Sequence, residues 1–291
     1  MSVADLPLVC CLCPSLARPK LLATAIACWA NQFYEPRRLA LLVGLDDDDD
    51  TTELTTQTLV AALKAYRPLA RHHGLVRVER FDPKQSLPGK YNSMASRAAF
   101  HWDVDLFAVW EDDDLYLPAH CNAIASRWQA VNRPESWWAH PHHVWSDYHG
   151  ITQPQLEEAP GRFHAALAVS RTMWERLPWL NTERADFDQQ FLARLRTDRR
   201  PADYHTPGTQ RPTYVFRWHT AHEHGQGSME APHDAGWRQQ ARTRLLTAAR
   251  ARPLQPFAIG FDPAARQLLD AVGVWRQLPD SGTPSESPLP T

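Results

Sequence analysis

The sequence predicts an α/β domain built on a mostly parallel, Rossmann-like sheet flanked by helices. Three observations carry that expectation. Short apolar runs of strand length alternate with stretches of helical periodicity, two of the apolar runs pass directly into acidic runs, and 43% of 291 residues are hydrophobic. That is enough apolar material for one large core.

The elements follow in order. Leu8–Cys13 is a buried strand closed by Pro14. Pro19 opens a helix with Leu21, Leu22, Ala25, Ile26 and Trp29 on one face. Leu39–Leu45 is a second buried strand, ending in five aspartates, Asp46 to Asp50. Leu54 to Tyr66 reads as a helix, and Val76–Phe81 alternates as a third strand. Tyr91, Met94, Ala95 and Ala98 mark the next helix. Leu106–Trp110 is a fourth strand running into Glu111-Asp112-Asp113-Asp114. Pro118 then starts a helix carrying Cys121, Ile124, Trp128 and Val131. Beyond Trp137 the pattern is less regular. Phe163–Ser170 and Thr213–Trp218 read as strands, with a helix marked by Phe187, Phe191 and Leu195 between them. We expect one domain over 1–278, with a donor half at about 1–118 and an acceptor half at about 119–278. The Pro/Ser-rich 279–291 is expected to be a disordered tail.

A formal net charge of -2 excludes a global pull toward nucleic acid or anionic membrane. No apolar run is long enough to span a bilayer or reads as a signal peptide, so the expected compartment is the cytosol. Five cysteines without paired CxxC spacing read as small buried hydrophobes. Twelve tryptophans exceed what the core obviously needs. Trp110, Trp137, Trp138 and Trp145 are candidates for a sugar-stacking wall as well as for the core.

The strongest chemical signal is Glu111-Asp112-Asp113-Asp114 launched from a buried strand. Like charges crowded there are unfavourable unless a cation neutralises them. Hard oxygen ligands select Mn²⁺ or Mg²⁺, ions that share their coordination with substrate phosphates. In parallel sheets ligands bind beyond the carboxyl ends of the strands, so this run and Asp46–Asp50 are expected to converge.

Residues 107–118 resemble the metal motif of the family 2 glycosyltransferases, which have the GT-A fold with a smaller acceptor-side sheet. Glu111 stands where the family usually has its first aspartate. The resemblance implies metal ligands in the order Asp113, Asp112, Glu111, Asp114. Other segments match in order. Val9 to Pro19 is similar to the family's first strand and nucleotide loop, placing Pro14, Ser15 and Arg18 at the donor. Leu41 to Asp47 resembles the second strand, placing Asp46 and Asp47 at base and ribose. Gly89-Lys90-Tyr91-Asn92 resembles the stretch over the nucleotide, with Lys90 on the diphosphate and Asn92 beside it. Asp186, after Ala185 in place of the usual glutamate, matches the aspartate that serves as general base in inverting members. A plain helix N-cap is its bland alternative. Arg217, His219, His222 and His224 resemble the late loop that reaches the diphosphate or metal. The matches span roughly residues 7 to 225.

The implied activity is metal-dependent transfer of a sugar from a nucleotide-diphosphate donor, such as a UDP-sugar, to an acceptor hydroxyl. Inversion is expected, with a saccharide as acceptor. The stretch 237–252 holds five arginines and no acid, which keeps a phosphate-bearing acceptor or modified nucleic acid in view. One rival is a haloacid-dehalogenase-type phosphatase, because Asp47, Asp49 and Thr51 satisfy its D-x-D-x-T pattern. A calcium loop at Asp46–Asp50 fails the EF-hand spacing at Thr51 and Gln57. A non-catalytic nucleotide-sugar-binding domain is the third alternative.

Overall fold

A computed structural model describes residues 3–16, 18–46, 57, 59–66, 75–82, 85–147, 154–160, 162–182, 186–217, 247 and 259–273. Asp47–Asp50, the loop bearing His219, His222 and His224, the arginine-rich 237–252 other than Thr247, and 279–291 lie outside the described residues.

The first half of the chain builds the parallel part of a six-stranded sheet, in the order β3-β2-β1-β4-β9-β6. β1 (Val9–Ser15) pairs in parallel with β2 (Leu39–Asp46) on one side and β4 (Leu106–Val109) on the other. β3 (Val76–Phe81) extends the parallel set beyond β2. β9 (Ala168–Ser170) and β6 (Trp138–Ala139) then join antiparallel. Every residue of β1, β2 and β4 is buried, which explains why their sequences are continuous apolar runs without alternation.

β1 does not stop before Pro14, as the sequence suggested, but runs through it to Ser15. Pairing with β4 has already ended at Leu12–Val109, so at Pro14 the strand is paired only to β2, where it faces Gly44. A proline is tolerated where one side of the ladder is open.

Helices cover the sheet where periodicity placed them. α1 is Pro19–Ala30, α2 is Leu87–His101 and α3 is His120–Ala130. Residues 59–65 are helical as well. Gly44 lets α2 pack close on β2, since a Cβ there would lie 2.7 Å from the Met94 sulfur. α2 begins with Ser86 as N-cap, its hydroxyl accepting from the Gly89 N–H, and with Pro88 in the first turn. That start carries Lys90, Tyr91 and Asn92 toward the carboxyl ends of β1, β2 and β4.

A second sheet, of order β5-β10-β7-β8, takes one short strand from just after the acidic loop and three from further along the chain. Its strands are β5 (Leu115–Tyr116), β7 (His143–Ser146), β8 (Gln155–Glu158) and β10 (Tyr214–Phe216). This is the smaller sheet that was expected. The expected strand Phe163–Ser170 is corrected: Phe163 turns into the left-handed region at φ 55°, and His164–Ala166 forms a 3₁₀ turn. Only Ala168–Ser170 pairs, as β9. α4 (Arg171–Arg176) follows it, and α5 (Phe187–Asp198) is the helix that Phe187, Phe191 and Leu195 marked.

α6 (Pro263–Ala271) had no sequence expectation. It docks back onto the first half. Asp262 caps it by accepting from the Ala265 N–H, and the same carboxylate takes bonds from Thr24 of α1 and Arg217. Trp110, Trp137 and Trp138 are core residues: the Trp110 ring stacks on Tyr116 at 3.8 Å. The five cysteines are free and buried.

Candidate active site

The acidic loop leaves β4 at Trp110 and re-enters the second sheet at β5, so Glu111 to Asp114 bridge the two sheets. Each carboxylate is held by different neighbours. Asp112 is fully buried and accepts from the Ser15 hydroxyl at the end of β1 and from the Arg18 guanidinium. Arg18 also reaches Asp113, Nη1 to Oδ2 at 2.8 Å. Asp114 accepts from the Tyr214 hydroxyl at 2.5 Å and from the Arg217 N–H at 2.9 Å, both supplied by β10 and the residue after it. Glu111 is anchored through its own N–H, which donates to the Tyr116 hydroxyl at 2.7 Å.

Ligand oxygens of Glu111, Asp113 and Asp114 lie within 4.8 Å of one another. Three hard anionic donors at that spacing suit one divalent cation. Asp112 is not in this group. Its oxygens face Ser15 and Arg18, so it secures the loop rather than the cluster, although the sequence ranked it second among ligands. Asp114 can still ligate, because a carboxylate offers about four lone-pair sites and two are taken.

Charge makes the arrangement incomplete. Four carboxylates meet one guanidinium, and four minus one leaves three negative charges without a described counter-charge. Burial, then the neighbouring Asp113 and Asp188, push the Glu111 carboxyl up to about 8. Burial, Asp113 and Glu111 raise Asp114 as well. Burial also raises Asp112, but the Arg18 guanidinium and the Ser15 hydroxyl oppose it, and we take Asp112 as the anion of a buried ion pair. Burial works against the Arg18 charge, but the Asp112 and Asp113 carboxylates outweigh it. Burial and like charge therefore penalise the ionised Glu111 and Asp114, a penalty that a bound cation would relieve. That is the electrostatic signature of a site built to be neutralised from outside.

The expected nucleotide residues divide. Lys90 and Asp46 are brought together at the ends of α2 and β2, where they form a buried ion pair. Asn92 is otherwise engaged: its amide donates to the Trp179 carbonyl at 2.7 Å and accepts from the Trp179 N–H and the Trp174 indole. The Arg217 guanidinium, 2% exposed, turns to Asp262 instead of toward a diphosphate. Asp186 occupies the N-cap position of α5, but its side chain makes no capping bond and accepts from Gln190 at 3.0 Å.

Three residues near the cluster escaped the sequence reading. His164 and Tyr91 both face Glu111 Oε1, at 3.5 and 3.4 Å. Burial pushes the His164 imidazole down to about 4, so it is neutral. Asp188, in the first turn of α5, is the third: its charge is felt by both Glu111 and His164. A separate cleft of about 340 Å³, lined by His140, His142, Arg196, Arg200 and three prolines, contains no carboxylate and shares no residue with the cluster.

No protein-family profile and no curated protein matches the sequence. Solved structures do. S. aureus TarS 1-349 superposes with a TM-score of 0.54 at 13% identity, over 92% of this chain and 80% of that one. TarS 1-349 in complex with UDP gives 0.55 at 10% identity, over 91% and 70%. Its complex with UDP-GlcNAc gives 0.54 at 12%, over 92% and 80%. Against the longer TarS chain, 94% of this chain covers 49%. At these identities the likeness shows the fold alone, which is the GT-A fold expected from the sequence. Among the described residues, no helix is long and apolar enough to cross a membrane.

Proposed function

We propose that this chain is a glycosyltransferase, moving a sugar from a nucleotide-diphosphate donor to an acceptor hydroxyl with Mn²⁺ or Mg²⁺ bound. The observation that carries the proposal is the convergence of Glu111, Asp113 and Asp114 at the carboxyl end of a central parallel strand, between the two sheets of a GT-A fold. The TarS structures with UDP and UDP-GlcNAc support a donor of that chemistry. The D-x-D-x-T pattern lies after β2, with a complete strand–helix unit before it, which disfavours the phosphatase reading.

Glu111, Asp113 and Asp114 would hold a divalent cation, which would supply positive charge against the departing diphosphate. The chain's own residues do the rest. Ser15 and Arg18 hold the acidic loop in place through Asp112. Tyr214 and the Arg217 N–H fix Asp114. Lys90 and Asp46 sit at the end of β2, and Lys90 is the cation placed to exchange its carboxylate partner for a donor phosphate. The acceptor hydroxyl loses its proton to a carboxylate on the opposite face, which gives inversion. Asp186 is the match to the family's motif. Asp188, in the first turn of α5, is the other carboxylate of that segment, and the base is one of the two.

The test is direct. A panel of nucleotide sugars, each titrated with and without Mn²⁺, is expected to raise the melting temperature only for the true donor and only with the metal. Binding without hydrolysis or transfer to any saccharide would favour a non-catalytic nucleotide-sugar-binding domain.

A further inference from the structure

We propose that His164 is a positioning residue for the metal site: it holds Glu111 Oε1 so that Oε2 faces the cation, and Trp179 fixes the tautomer that does so. The inference rests on the metal reading above and extends it to groups that no motif marked.

The hydrogen bonds settle the direction of the proton. The Trp179 indole N–H lies 2.8 Å from His164 Nε2. An indole nitrogen can only donate, so Nε2 must present its lone pair. The ring proton of the neutral imidazole is therefore on Nδ1, the atom that faces Glu111 Oε1 at 3.5 Å. The Tyr91 hydroxyl approaches the same oxygen at 3.4 Å. Glu111 Oε2 accepts no hydrogen bond among the described residues. One carboxylate oxygen is thus faced by two donors and the other is left for the cation. Both contacts are at the long end of hydrogen-bond range.

The ring has little freedom to do anything else. His164 is 4% exposed and is enclosed edge-on by Tyr91 at 5.3 Å and Phe187 at 5.6 Å. Trp179 stacks on Tyr91 at 5.2 Å, and Asn92 grips its backbone from both sides. A chain of contacts therefore runs Asn92, Trp179, His164, Glu111. It gives Asn92 of α2 a role two steps behind the cluster. Groups that orient a ligand in this way typically change metal affinity by about 10–100-fold when removed.

The experiment uses the full-length chain and three variants. Trp179→Phe keeps an aromatic ring but removes the N–H, His164→Phe removes both ring nitrogens, and His164→Asn returns a donor near the Nδ1 position. Mn²⁺ affinity is read by calorimetry, and the imidazole tautomer by ¹⁵N-histidine NMR, with the His164 signal assigned by its loss in His164→Asn. The expected results are an Nδ1–H tautomer in the unmodified chain and a loss of Mn²⁺ affinity of about 10–100-fold in His164→Phe. A smaller loss is expected in Trp179→Phe, with substantial recovery in His164→Asn. An Nε2–H tautomer, or unchanged Mn²⁺ affinity in both folded Phe variants, overturns the inference and leaves the metal site standing. Failure of the unmodified chain to bind Mn²⁺ overturns both. If His164→Phe does not fold, Trp179→Phe and the tautomer decide the matter.

Discussion

Lys90 and Asp46 form a buried ion pair, each about 5% exposed, at the point where the first turn of α2 meets the carboxyl end of β2. A buried pair is costly to break from one side, because the remaining charge is stranded. Asp46→Asn is therefore expected to lower stability by about 3–5 kcal/mol. The same change is expected to leave UDP-sugar affinity within a few-fold, because it removes a carboxylate that competes with phosphate for Lys90. Urea unfolding and calorimetric titration separate the two effects. A stable Asp46→Asn variant with no UDP-sugar affinity would instead make Asp46 a direct nucleotide contact.

Asp112 and Asp113 are neighbours in the sequence with different expected fates. Asp113→Asn is expected to abolish Mn²⁺ binding with little change in melting temperature, since Asp113 belongs to the converging group. Asp112→Asn leaves Arg18 without its main partner and is expected to destabilise the chain while Mn²⁺ still binds, more weakly. The same pattern in both variants would show that the loop acts as one unit and that the assignment of ligands within it is mistaken.

The pH dependence follows from Glu111. Its carboxyl rises from an ordinary value of 4.5 to about 8 on folding. Between those values the folded state binds more protons than the unfolded state, so the stability of the metal-free chain is expected to fall as pH rises through that window. Mn²⁺ competes with those protons, so its affinity is expected to rise over the same range and proton release on binding to shrink toward its upper end. Thermal melts and calorimetry in buffers of different ionisation enthalpy measure both. A flat metal-free profile from pH 5 to 8 would mean that Glu111 does not titrate there.

What the sequence revealed depended on how local the cause was. Leu39–Leu45 and Leu106–Trp110 were legible because a strand buried on both faces is a continuous apolar run. The acidic loop was legible because four carboxylates directly after such a strand have few uses. The division of labour within it was not, because whether Asp112 faces Arg18 or a cation depends on residues 94 positions away. His164 was hidden for a similar reason. It sits in a short apolar stretch that resembles a strand, and only the left-handed turn at Phe163 presents its ring to Glu111. The pairing of Arg217 was not legible either: its neighbours match the motif, but its guanidinium meets Asp262 at the start of a helix that no motif announced.

The roles of Asp186 and Asp188 can be tested twice, once through the reaction and once without it. A base acts only as the acceptor proton leaves, so Asn in its place is expected to cut turnover by roughly 10²–10⁴ while donor affinity stays near normal, at Asp186 if the motif match carries over. Asp186→Asn keeps an acceptor oxygen for Gln190, so a loss of turnover there is not the loss of that bond. The second test uses the electrostatics. Asp188 raises the Glu111 carboxyl, so removing its charge lowers the pH at which Glu111 ionises. The upper end of the pH window in which the metal-free chain loses stability is then expected to move down in Asp188→Asn and to stay in place in Asp186→Asn. The two measurements are independent, since the second needs neither donor nor acceptor. If Asp186→Asn loses turnover and Asp188→Asn keeps it, the base is Asp186. A product that retains the donor's anomeric configuration removes the need for a base of this kind at either position.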